Sequence, residues 1–282
     1  MKFGIRSAVD VVFKTTRAYS GEGQDYLLKK GIKWAKGEPV LYFDSLKMAT
    51  TEGTAETVYA QGGKGNPRLI AWEGDKTVTF TFEDALISIE GMSILTGADL
   101  IDASANQKIR VHKKAVVEVD EDDVLDFTDV LDGETLVKDE VFGFIVDANG
   151  EIIERLGKAT VGEINNSITF ADRPLVESES VLIDYYVEKS TGVQEISITP
   201  DKFAGYFYIE GDTLFRRQSD GKDLAAQMII PNAKIQTAFN FEMSPSGDPS
   251  TFTFTADALP GTLAGDAPGA DKKLYALRIL ED

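Results

Sequence analysis

The chain has 282 residues, 43% hydrophobic and 10% aromatic, which is enough apolar surface for a real core and too much for global disorder. It holds no cysteine, which excludes disulfides, thiolate metal sites and cysteine nucleophiles, and its one histidine leaves any Ser–His–Asp triad resting on His112. Its net charge of −18 is unevenly placed: residues 1–110 carry 14 basic and 14 acidic side chains, residues 111–200 carry 7 and 21, and residues 201–282 carry 8 and 12.

Residues 1–6 have no apolar run, so no secretory signal is expected. No stretch reaches the roughly 20 apolar residues of a membrane span. Strands are expected at 9–13, 40–46, 54–60 and 68–72. Between the first two lies a long loop, 16–37, in which Lys29, Lys30, Lys33 and Lys36 surround Trp34. An aromatic anchor among cations suits a contact between subunits; a plain exposed loop and nucleic-acid binding are the alternatives. Gly62-Gly63-Lys64-Gly65-Asn66-Pro67 lacks phosphate-loop spacing and precedes a strand, so it reads as a tight turn.

Val78, Phe80 and Phe82 then alternate with Thr77, Thr79 and Thr81, a period of two that turns one apolar face inward. A helix follows. Ser88 caps it, Glu90 sits in its first turn, Ile89, Met92 and Leu95 share a face, and Gly97 stops it.

Residues 111–195 are read as an inserted small β-sandwich carrying most of the acidic excess, with 1–110 and 196–282 forming one discontinuous body. Strands are expected at 141–146 and 151–156 around an Asn149-Gly150 turn, and at Val181, Ile183, Tyr185 and Val187. Asp120-Glu121-Asp122-Asp123, with Asp126 and Asp129, does not match a calcium loop and reads as solvated acid. His112 lies in a basic, strand-like stretch and reads as a surface or structural residue. No catalytic, cofactor or metal residue is assigned. An acidic chain also disfavours non-specific nucleic-acid binding.

The last part repeats the alternation, after a strand at 203–209 and before one at 274–280. Ile235, Thr237, Phe239, Phe241 and Met243 share a face; Ser244-Pro245-Ser246-Gly247-Asp248-Pro249 breaks the run. Phe252, Phe254, Ala256 and Ala258 then alternate with Thr251, Thr253, Thr255 and Asp257. The expectation is a long hairpin with a threonine-rich outer face, suited to water or to a polar channel wall. Residues 260–273, rich in Gly, Ala and Asp, read as a loop.

Pro39-Val40-Leu41-Tyr42-Phe43-Asp44, the stretch Ala55 to Asn66, Phe80-Thr81-Phe82-Glu83-Asp84-Ala85-Leu86 and Leu95-Thr96-Gly97-Ala98 together resemble the N-terminal signature of tailed-phage virion proteins. Met243 to Pro249 with Phe252-Thr253-Phe254 resembles the closing hairpin of bacteriophage tail tube proteins. The resemblance implies an all-β fold with one or two short helices, built as a β-sandwich or half-barrel body. It implies a non-enzymatic subunit of stacked hexameric rings whose lumen passes DNA during ejection. Its partners would be copies of itself and other tail proteins such as sheath, tape measure or baseplate, with no membrane and no cofactor. Its place would be the virion tail, and the host cytoplasm during assembly. On this reading Thr77, Thr79, Thr81, Thr251, Thr253 and Thr255 line the lumen, and Lys29, Lys30, Lys33, Trp34 and Lys36 form an inter-subunit loop. A capsid decoration or cement protein is the alternative.

Overall fold

The computed structural model describes residues 2–281 except 6–9, 24, 26, 28, 87, 121–123, 164, 165, 237 and 239–250. In chain order the elements are β1 (Phe3–Ile5), β2 (Asp10–Thr15), β3 (Pro39–Phe43), β4 (Leu46–Gln61), β5 (Arg68–Asp84), α1 (Ile89–Thr96), β6 (Asp99–Asp102), β7 (Ile109–Glu118), α2 (Thr128–Leu131) and β8 (Thr135–Val146). They continue with β9 (Ile152–Lys158), β10 (Thr160–Val161), β11 (Ile168–Thr169), β12 (Ser180–Lys189), β13 (Gln194–Ser197), β14 (Tyr206–Arg217), β15 (Asp223–Ile235), β16 (Phe252–Ala258) and β17 (Ala276–Ile279). The fold is all-β with two short helices.

The chain forms two compact units: Met1–Leu100 with Ile196–Asp282, and Ile101–Glu195. The second unit begins ahead of the boundary expected at 111, because that position falls inside β7 and a turn at Ser104 and Gln107 leads into the strand. β6 and β13 pair where the chain passes between the units.

The first unit is built on one nine-stranded sheet in the order β3-β2-β14-β15-β16-β5-β4, with β1 added to β14 and β17 to β15. β3 and β16 stand four strand steps apart, roughly 19 Å if the sheet were flat. Yet Phe43 on β3 and Phe254 on β16 have ring centroids 5.1 Å apart, and Phe13 on β2 lies 6.0 Å from Phe254. The sheet therefore curls over itself. The alternating residues of its inner face, Phe13, Phe80, Phe82, Phe207, Phe252 and Phe254, fill the enclosed core. Ile94 and Leu95 of α1 join that core. Ser88 Oγ accepts from Gly91 N–H at 2.9 Å, and Gly97 ends the helix at φ +72°. Ile89, expected on the buried face, is exposed.

β4 and β5 are two long strands where short strands at 54–60, 68–72 and 77–82 were expected. Glu73-Gly74-Asp75, which looks like a break, is taken up by a bulge between Ala55 and Thr57. From Thr54 and Thr77 outward nearly every residue of both strands is exposed. The hairpin leaves the core there and continues as an arm. The expected strand face through Thr237, Phe239, Phe241 and Met243, and the loop 244–249, lie outside the described residues. The base of that hairpin is present, with Ile235 opposite Ala256.

The second unit is a four-stranded antiparallel sheet, β7-β12-β8-β9. Val181, Ile183, Tyr185 and Val187 of β12 are buried under Leu125, Phe127, Leu131 and Ile168. The cover over this face is therefore α2 and the β10–β11 ribbon rather than a full second sheet. Gly143 is required by packing: a Cβ there would enter the Phe170 ring.

Candidate assembly surfaces

The outer face of β4, β5 and β16 carries a polar ladder directly behind the buried phenylalanines. Opposed residues of an antiparallel pair share a face. Thr50, Thr81 and Thr255 form one row across three strands. Glu52, Thr79, Asp257 and Lys234 form the next across four. Thr54 and Thr77 face each other with Oγ1 atoms 2.6 Å apart, and Thr253 stands opposite Glu83. Thr251 precedes β16 by one residue. The five threonines at 77, 79, 81, 253 and 255 thus lie on the side away from the core, as expected from the alternation.

Hydrogen bonds hold this face in place. Thr79 Oγ1 donates to Asp257 Oδ1 at 3.2 Å, and Gln236 Nε2 reaches both Asp257 oxygens at 2.9 and 3.0 Å. Lys234, the cation of the row, donates to the Ala204 carbonyl and lies over the Tyr206 ring. Burial pushes its pKa down. With Glu52, Glu83 and Asp257 exposed or half-buried beside the hydroxyls, the face is polar and mildly acidic.

The arm presents apolar side chains to solvent on both faces. Val58 stands opposite Trp72, and Ala60 opposite Ile70. On the other face Tyr59 stands opposite Ala71, with the Arg68 guanidinium 4.1 Å above the Tyr59 ring. Trp72 is 53% exposed and Leu69 63%. Apolar side chains clustered in solvent like this are the usual surface for meeting a partner. Sequence reading missed it, although the apolar residues Leu69, Ile70 and Trp72 on both parities of one short run are a usable signal. β4 also ends the sheet, and its outer edge has no strand partner among the described residues.

The lysine loop is divided by the structure. Tyr19 and Trp34 exchange backbone hydrogen bonds at 2.9 and 3.1 Å, which pins the loop to itself. Trp34 is half-buried against its own core, and its Nε1–H has no acceptor among the described residues. The ring expected to anchor a neighbour thus packs within its own chain. Lys29, Lys30, Lys33 and Lys36 are exposed. His112 is a surface residue 2.8 Å from Asp184. Among the described residues no group of three or more His, Asp or Glu side chains is placed to hold a metal ion.

The sequence pattern of the YomU/Tube protein family matches residues 32–267. The chain belongs to the YomU/Tube family. The match runs from before β3 to beyond β16 and so includes the arm, the threonine face and the whole second unit. Among curated proteins none matches this sequence. YomU/Tube membership points to a phage tube-type structural protein of the virion tail.

Proposed function

We infer that the chain is the repeating subunit of a phage tail tube, self-assembling into stacked rings with the threonine face of β4, β5 and β16 lining the channel. The observation that carries this reading is the row Thr50–Thr81–Thr255 lying directly behind Phe80, Phe82 and Phe254. Such a wall is rigid because its other side is core. Lys234, the cation of these rows, is turned to the Ala204 carbonyl and the Tyr206 ring, so the hydroxyls and carboxylates that remain give DNA phosphates little to hold them and the duplex passes without being bound. The free edge of β4 is an aggregation liability in a monomer and a resource in a ring, where symmetry closes it. The exposed arm supplies the long contact that neighbouring subunits or rings need. Nothing in this role requires catalysis. The second unit, with 9 basic and 22 acidic residues, has the charge of a well-solvated module.

Electron microscopy of the purified chain at high concentration, alone and seeded with tail fragments, tests the reading. Rings or tubes with a central channel are the expected result. Knobs bound to capsids, with no incorporation into tubes, would overturn it in favour of a decoration protein.

A further inference from the structure

The second unit has two unlike faces. One face of its sheet is buried under α2 and the β10–β11 ribbon; on the other, strand pairing aligns two rows across all four strands. Lys114, Asp184, Phe142 and Lys158 form one row, and Val116, Leu182, Phe144 and Arg155 the other. Val116 is 59% exposed and Phe142 37%, so Val116, Leu182, Phe144 and Phe142 make an open apolar strip across the face, with Asp184 beside it bonded to His112. Lys114 lies on one edge strand, Arg155 and Lys158 on the other. All three are exposed, and none forms an ion pair with a described residue. Beside the exposed Glu118 and the His112-bonded Asp184 of the same face, three cations without a described ion-pair partner stand out in a unit of net charge −13.

The opposite side is acidic. α2 inserts Leu131 into the core, and Phe127 packs edge-on against Tyr185 at 4.8 Å, which places the helix over the covered face. Asp129 and Asp132 remain exposed there. Asp172, also exposed, follows Phe170, whose ring packs over Gly143 on the same side.

We propose that the open sheet face docks onto the acidic, helix-bearing side of this same unit in a second copy of the chain. Charge complementarity selects that occupant: an apolar centre flanked by free cations fits an acidic surface, and the chain carries one on the reverse of the same unit. The contact joins unlike faces, so it repeats head to tail and closes in a ring or extends along an array. It also relieves the repulsion that crowding units of net −13 would otherwise suffer. The proposal rests on the assembly reading above.

The test uses the full chain with two neutral, near-isosteric triple variants: Lys114→Gln/Arg155→Gln/Lys158→Gln, and Asp129→Asn/Asp132→Asn/Asp172→Asn. Exposed substitutions of this kind leave folding intact, which circular dichroism verifies. Sedimentation velocity across a salt series is expected to show each variant self-associating about tenfold more weakly than wild type, with reduced salt sensitivity. An equimolar mixture of the two should recover one contact and form heterodimers. Wild-type-like association and tube formation by both variants would overturn the docking and leave the tube reading standing. Head-to-tail association lost in the variants, with no rings under any condition, would support the docking and sink the tube reading. A wild-type chain that stays monomeric at high concentration would overturn the docking outright.

Discussion

Phe43 and Phe254 meet with ring centroids 5.1 Å apart although three strands stand between β3 and β16 in the sheet. The contact closes the first unit's sheet over its core, and Phe254 also stacks on Phe82 at 5.1 Å. Phe254→Ala should therefore cost about 3–5 kcal/mol, the range for deleting a large buried aromatic. Its neighbour Thr255 points the other way, and Thr255→Val should change stability by less than about 0.5 kcal/mol. Denaturant midpoints of the two variants, one residue apart, measure the difference directly.

The absence of cysteine makes the threonine face, proposed above as the channel wall, chemically addressable. Thr79→Cys or Thr255→Cys introduces a single thiol on the polar face. Lys222→Cys, at the exposed turn between β14 and β15, serves as an outer control. In assembled tubes a small maleimide should label both positions, while a polymer-linked maleimide too bulky for the channel should label only Lys222→Cys. Equal labelling by the bulky reagent would place the threonine face outside.

Strands with one buried face were legible and the arm was not, for one physical reason. Val78 to Phe82 and Phe252 to Ala258 alternate because one side meets a core, and the structure keeps that alternation residue by residue. The cap at Ser88 and the stop at Gly97 were equally plain, since both follow from backbone needs local to the helix. The outer halves of β4 and β5 face solvent on both sides, so no period of two is imposed and each strand read as fragments. Trp34 shows the complementary limit: its composition looked like a surface anchor, and only the Tyr19–Trp34 bridge reveals that the loop folds the ring inward.

The arm's apolar residues should matter to assembly and not to folding. Trp72 and Val58 face each other in solvent, outside the core. Trp72→Ala with Val58→Ser should shift the unfolding midpoint little, because both side chains lie outside the core and stay more than half exposed. Tube length or yield by electron microscopy should fall sharply. A variant that assembles normally would remove the arm from the set of contact sites.

Acid should loosen the second unit through Glu134. Lys113 donates to its carboxylate at 2.6 Å and Lys189 donates as well, and together they hold Glu134 below the ordinary glutamate value of 4.5. A depressed carboxylate contributes stability that is full above its unfolded pKa and is lost as pH falls through its folded pKa. Lys113 is raised by the same pairing, so its share fades only as pH climbs through a value above 10.5. Glu134→Gln should therefore be less stable than wild type at neutral pH, and the gap should close below pH 4.5. Thermal melts followed across that range check it, and a gap that stays constant would mean the ion pair contributes nothing to stability.

The first unit should fold without the second. Ala103 N–H donates to the Val193 carbonyl at 2.9 Å, and β6 pairs with β13 beside it, so the two ends of the inserted segment are neighbours. A short Gly-Ser linker replacing residues 104–192 spans that gap without strain. The first unit's core cluster contains no residue of the removed segment. The shortened chain should keep a cooperative, β-type unfolding transition and still form tubes, though less regular ones. Circular dichroism and microscopy report the two outcomes separately. A shortened chain that fails to fold would show that the first unit depends on the second for its structure.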